Sequence, residues 1–412
     1  MEEERKLYPF KLVPIEDGVH SVQIADLGYQ DTEVQNGWLA ASTVSELMEM
    51  YMDRLVGEAA FAYYGRQFPV ASRYIRVEDR LPLMVCPDDE IASQRLDFLG
   101  KAKLWYIADA SEDARIFLGF GRDVEPAEFY MACRHAANSG AGSGKANSHG
   151  TEVEGMLNAV HPHKGDYFFI PPGTVHGAAG HVTILEVSEC SPLDFRIFDW
   201  GRESELDEFD AALSLDAAFD FINYRAHTSA CHCHEHEHEH GEHCHCHEHE
   251  HGEHCHCHEH GGHGHGQEGP IHEDREAAER LAKRLTDNPE FTVTELRLHD
   301  PMHIYSEQFG CFVLYTCVEG EISLQIPATA SEPLQNVILK AGESALVPAE
   351  VKDFFLVPLD RSSVLLETIV EQRPEIDSYT GEESDGHDHD GCGCGHDHHD
   401  DDPDDDEPLI YS

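Results

Sequence analysis

Residues 231 to 258 read CHCHEHEHEHGEHCHCHEHEHGEHCHCH, so imidazole and thiol side chains alternate with glutamate over the whole stretch. Imidazole and thiolate are the ligands that borderline-soft ions such as Zn²⁺, Ni²⁺ and copper prefer. The candidate ligands are Cys231, His232, Cys233, His234, Cys244, His245, Cys246, Cys255, His256 and Cys257. The cysteines are spaced C-x-C rather than C-x-x-C, and strict alternation closes no four-ligand cage. We therefore expect several exchangeable, loosely defined sites; the competing reading is a solvated linker without function. The repeat HCHCHEHEHGE at His243–Glu253 returns as HCHCHEHGG from His254, and no core can form from such residues. In the tail, GHDHDGCGCGHDHHDDD carries Cys392 and Cys394 and repeats the theme with aspartate.

A second chemical signal lies in GDYFFIPPGTVH, where Gly165, Pro171, Gly173 and His176 have the spacing of the second motif of a cupin barrel. Such a segment is a strand, a tight Pro/Gly turn and a histidine aimed into the barrel, where neutral imidazole can hold a divalent metal. The alternative is a buried histidine satisfied by hydrogen bonds.

The rest of the chain must position these groups. Its 412 residues, 40 % of them hydrophobic, suffice for a substantial core in two domains. A formal net charge of −52 argues against nucleic acid or an anionic membrane as partner and favours cations. No apolar leader and no membrane-length apolar run is apparent, so the expected location is the cytoplasm. Of the 13 cysteines, five (Cys86, Cys133, Cys190, Cys311 and Cys317) are scattered, as small buried hydrophobes of an intracellular chain are.

Short strand-like runs between Gly/Pro turns fill Tyr8 to Arg225, with one clear helix at about Val44–Gly57 behind the cap candidates Ser42 and Thr43. Ala277, Leu281 and Leu285 predict a connector helix over His272–Asn288. NSGAGSGKA (Asn138–Ala146) lacks the first glycine and the final Ser/Thr of a phosphate loop and reads as a flexible loop. The expected layout is an N-terminal domain over 1–225, the His/Cys/Glu insert over 226–271, the connector over 272–289, a C-terminal domain over 290–372 and a disordered acidic tail over 373–412. The fold class is mainly β, two cupin (jelly-roll) barrels with a few helices.

Beyond the single motif, LYPFKLVPI, FPVASRYIRVEDRLPLMVCPDDEIA, GKAKLWYIADA, KGDYFFIPPGTVHG, ILEVSECSPLDFRIFDWGR, FVLYTCVEGEISL and LKAGESALVPA, in that order, resemble the type I mannose-6-phosphate isomerases. The resemblance implies cupin-fold zinc enzymes that interconvert mannose 6-phosphate and fructose 6-phosphate. It further implies that Lys101 and Arg196 serve proton transfer and substrate charge, that His176 is a zinc ligand, and that a sugar phosphate is the small-molecule partner. Three of the family's four ligand positions differ: its Gln-x-His-Pro-Asp-Asp-Glu is here Met84-Val85-Cys86-Pro87-Asp88-Asp89-Glu90, and its Gly-Lys-Thr-Glu is Gly100-Lys101-Ala102-Lys103. Cys86 remains a thiolate candidate, whereas Lys103 sets a cation where a carboxylate would meet Zn²⁺. Three readings therefore stand: a working isomerase with a metal-binding tract, a lapsed homologue that buffers zinc or nickel or donates it to an accepting protein, and a regulatory module that binds sugar phosphate.

Overall fold

The computed structural model describes residues 5–140, 148–200, 202, 213–227, 281–328 and 333–370. The insert ligands Cys231 to Cys257 and the tail ligands Cys392 and Cys394 lie outside these residues. Antiparallel sheets dominate. A six-stranded sheet runs, in spatial order, Tyr167–Ile170, Lys103–Ala110, Val182–Glu189, Val70–Val77, His20–Ile24 and Ile15–Asp17. It belongs to the same barrel as a five-stranded sheet ordered Phe195–Phe198, Leu83–Val85, His176–Ala179, Arg115–Phe120 and Leu157–Val160. Trp105, Ile107, Leu118, Phe168 and Ile184, drawn from both sheets, form one buried cluster that fills the barrel interior.

The second barrel combines a seven-stranded sheet with the four strands Met302–Tyr305, Asp353–Pro358, Glu321–Ile326 and Gln335–Lys340. Two of its seven strands come from the start of the chain. Phe10 pairs with Leu346 and Lys11 with Ala345, and Leu12 in turn pairs with Val34. The boundary in sequence near residue 225 is thus not the boundary in space. A buried cluster holding Phe10, Phe68, Leu104, Phe312 and Leu346 runs continuously from one barrel to the other.

Three local expectations need correction. Thr43 caps a helix with a full capping box to Glu46, but that helix stops at Tyr51. Met52 takes φ 47° and a second short helix, Asp53–Val56, ends at Gly57. Gly57, at φ +97°, lies so close to the Gly310 carbonyl that a Cβ would sit 2.2 Å from that oxygen. This close approach sets the turn that a continuous helix could not make. Over the connector, Ala282–Asp287 is a strand paired with Thr292–Leu298, not a helix. A spacing of four between Leu281 and Leu285 fits the strand period as well as the helical one, and the sheet edge supplies partners that an isolated helix lacks. The residues from His272 to Arg280 lie outside the described ones. Finally, Asn138 is still inside a helix, Pro126–Gly140, that the sequence reading did not anticipate.

Candidate functional site

The second-motif turn forms as its residues require. Gly165 and Gly173 hold φ of +88° and +78°, and a Cβ on Gly173 would come 2.9 Å from the Phe221 carbonyl oxygen. The turn delivers His176 to the first position of its strand, opposite Met84 on one side and Leu118 on the other. His176 is fully buried with Trp105 edge-on to its ring at 5.4 Å. Nδ1 lies 2.9 Å from the Thr174 carbonyl, while Nε2 is buried without a hydrogen-bond partner.

From the other sheet, strand alternation turns Lys103 and Trp105 to the same face. Register places Trp105 opposite Glu186, and Glu186 opposite Arg73, so the three make one row across neighbouring strands. Glu186 accepts from Trp105 Nε1 at 2.7 Å and pairs with Arg73 at 2.7 Å and Lys103 at 3.4 Å. Asp194, on the loop before Phe195–Phe198, binds Lys103 by Oδ1 and Lys101 at 2.7 Å by Oδ2. The Cys86 thiol donates to Asp194 Oδ1 at 3.2 Å, and Lys101 also donates to the Ser191 carbonyl at 2.7 Å.

Burial sets the charge states. It pushes the Cys86 thiol well above its ordinary range, so the sulfur is a protonated donor. His176 is pulled down to about 3 by burial first and the Lys103 ammonium second, and is therefore neutral. Burial opposes ionisation of Asp194, but Lys101, Lys103 and Arg73 outweigh it and hold the carboxyl well below the usual range. Arg73 and Lys103 do the same for Glu186.

Of the residues singled out from sequence, Cys86, His176, Lys101 and Lys103 come together in one cluster. Arg196 stands on the neighbouring strand opposite Met84 and forms an ion pair with Asp199 at 3.5 Å. Asp194, Glu186 and Arg73 were missed: comparison of ligand positions alone does not weigh an aspartate outside them, and Glu186 and Arg73 are linked only by register.

Donor atoms of Cys86, His176 and Asp194 lie within 4.8 Å of one another, a set whose chemistry Zn²⁺ accepts. The surroundings contradict a resident divalent ion. Both Asp194 oxygens are taken by ammonium groups, the thiol is protonated, and three cationic side chains already face two carboxylates. A further double charge would meet Lys103 inside a low-dielectric core, so the residues present do not fit the metal. Arg73 of this cluster also lines a cleft of about 770 Å³ with His20, Gln67 and Phe98, and, with Lys101 and Glu186, a void of about 20 Å³. Cys86, Lys103 and His176 are at most 2 % exposed. In the second barrel, Glu350 pairs with Arg54 at 2.7 Å and Asp353 with His303 at 2.5 Å.

No family model matches the chain. It is 29 % identical over 171 residues to the mannose-6-phosphate isomerase ManA of Bacillus subtilis, which covers 41 % of this chain and 48 % of that protein. The mannose-6-phosphate isomerase of Streptococcus mutans serotype c matches at 26 % over 138 residues, 34 % of this chain and 39 % of that one. The chain thus spans about half the length of the curated relatives it matches. Among solved structures, the mannose 6-phosphate isomerase from Bacillus subtilis superposes with a TM-score of 0.59 at 19 % identity, covering 87 % of this chain and 99 % of that one. A mutant phosphomannose isomerase from Salmonella typhimurium gives 0.54 at 11 % identity, with coverages of 89 % and 100 %. These structural likenesses carry the two-barrel cupin fold, and the curated relatives show that part of the chain is similar in sequence to mannose-6-phosphate isomerases.

Proposed function

We propose that this chain handles transition-metal ions, with its His/Cys tract as the binding element and the isomerase-family barrels as a scaffold without turnover. The observation that carries the reading is Lys103. Isomerisation through an enediol needs a Lewis acid across two sugar oxygens and a base beside the carbon. Here a lysine stands where the resemblance implies a carboxylate ligand, and its ammonium is bonded to the carboxylates around it. Lys101, the remaining acid-base candidate, is likewise committed to Asp194. The tract supplies the other half of the argument: ligands in repeated alternation inside a chain of net charge −52, suited to gathering Zn²⁺, Ni²⁺ or copper and passing them to a metal-accepting protein.

The competing reading, mannose 6-phosphate to fructose 6-phosphate isomerisation, is favoured by the names of the curated relatives. A coupled isomerase assay on Zn²⁺-supplemented protein, with and without residues 230–266, separates the two. No turnover in either form, with several metal equivalents held by the full chain and lost on deletion, is the expected result. Turnover in both forms, or an unchanged metal content after deletion, would sink the proposal.

A further inference from the structure

The cluster inside the first barrel combines two features that do not belong together in an ordinary ion-pair network. Three side chains of metal-ligating type converge within 4.8 Å, one of them a fully buried imidazole whose Nε2 has no partner. Beside them sits an ammonium, also fully buried, held by Asp194 and Glu186. A buried polar nitrogen left unbonded is uncommon, because the desolvation it suffers goes uncompensated. A buried lysine likewise persists only where carboxylates surround it. Both observations have one explanation if a single small volume can hold either an ammonium or an ion, but not both.

We infer that the Lys103 ammonium is a built-in substitute for a metal cation, and that Cys86, His176 and Asp194 form a latent metal site which Lys103 keeps shut. The ammonium supplies a positive charge that cannot dissociate, so the barrel keeps its carboxylates ionised without drawing on any ion supply. It also denies Asp194 Oδ1 to a metal and keeps a positive charge 3.4 Å from Glu186. Removing the lysine charge should free Asp194 Oδ1 and leave the unpartnered Nε2 of His176 as a ligand beside it and the Cys86 sulfur. This inference does not depend on what the tract binds.

Thermal unfolding of the full chain, followed by tryptophan fluorescence, reads the barrel selectively, because residues 228–280 contain no tryptophan and Trp105 lies 5.4 Å from His176. Wild-type midpoints should be the same in excess chelator and in added Zn²⁺. Lys103→Glu should unfold several degrees lower in chelator and recover with Zn²⁺ or Co²⁺, and the recovery should vanish in the double variant with His176→Ala. Zinc-edge anomalous scattering should place an ion between Cys86 and His176 in the Lys103→Glu crystal and none there in the wild type. Lys103→Met, which deletes the charge with little change in length, carries the same test if the glutamate variant does not fold. The inference is overturned by a folded position-103 variant with no metal-dependent recovery. A wild-type midpoint that falls in chelator and ceases to do so after His176→Ala, or wild-type anomalous density beside His176, overturns it equally.

Discussion

Asp194 shows most plainly how individual residues hold the interior of the first barrel. It accepts from Lys101, Lys103 and Cys86, so Asp194→Asn leaves two buried ammonium groups short of a counter-charge. Breaking a buried pair on one side costs about 3–5 kcal/mol, and denaturant unfolding of Asp194→Asn should show a loss of that order. His176 gives a pH dependence with a definite sign. Its folded value of about 3 lies below the ordinary histidine value, so below about pH 6.5 the unfolded chain takes up a proton that the folded chain refuses. Stability is therefore unaffected by this group at neutral pH and falls as pH drops from about 6.5 towards 3. The slope is at most about 1.4 kcal/mol per pH unit. His176→Phe should flatten that part of a stability–pH curve relative to wild type; identical slopes would remove histidine as the cause.

At the scale of elements, turns and edges decide what the residues alone left ambiguous. Thr43 and Glu46 declare a helix start in sequence and in space, yet the end of the short helix that follows, Asp53–Val56, depends on a neighbour distant in sequence. Gly57 must have φ +97° and no Cβ because Gly310 approaches it. Gly57→Ala should destabilise by about 1–3 kcal/mol from the backbone alone, with the clash in addition, as calorimetry would read. Thr43→Ala, by comparison, should cost about 1 kcal/mol. If the two variants were equally mild, the close approach to Gly310 would not be a constraint.

Taken as a whole, the described part of the molecule has one continuous core between its barrels. Phe68 of the first meets Phe312 of the second at 4.7 Å between ring centroids, and both are fully buried. The first strand, Phe10–Val13, is stitched into the second barrel's sheet. The two barrels should therefore unfold in a single transition, and Phe68→Ala should lower its midpoint for probes in either barrel, at a cost of about 3–5 kcal/mol. Two separated transitions, with only one shifted, would contradict a shared core.

Much of this was present in the residues themselves. The Gly165–His176 spacing fixes its own turn and strand because glycine and proline act locally, and so the position of His176 needed no tertiary information. The replacement of ligand-type residues at Met84 and Lys103 was equally plain, as was the tract, a repeat of His, Cys and Glu visible in the sequence alone. What the sequence could not decide depends on groups far apart along the chain. The connector became a strand because a sheet edge was there to receive it. Lys103 became a buried, ion-paired group because Asp194, 91 residues on, and Glu186 close around it. Local preference is written residue by residue, but the charge that a buried site tolerates is a sum over everything the fold packs around it, and only the tertiary structure performs that sum.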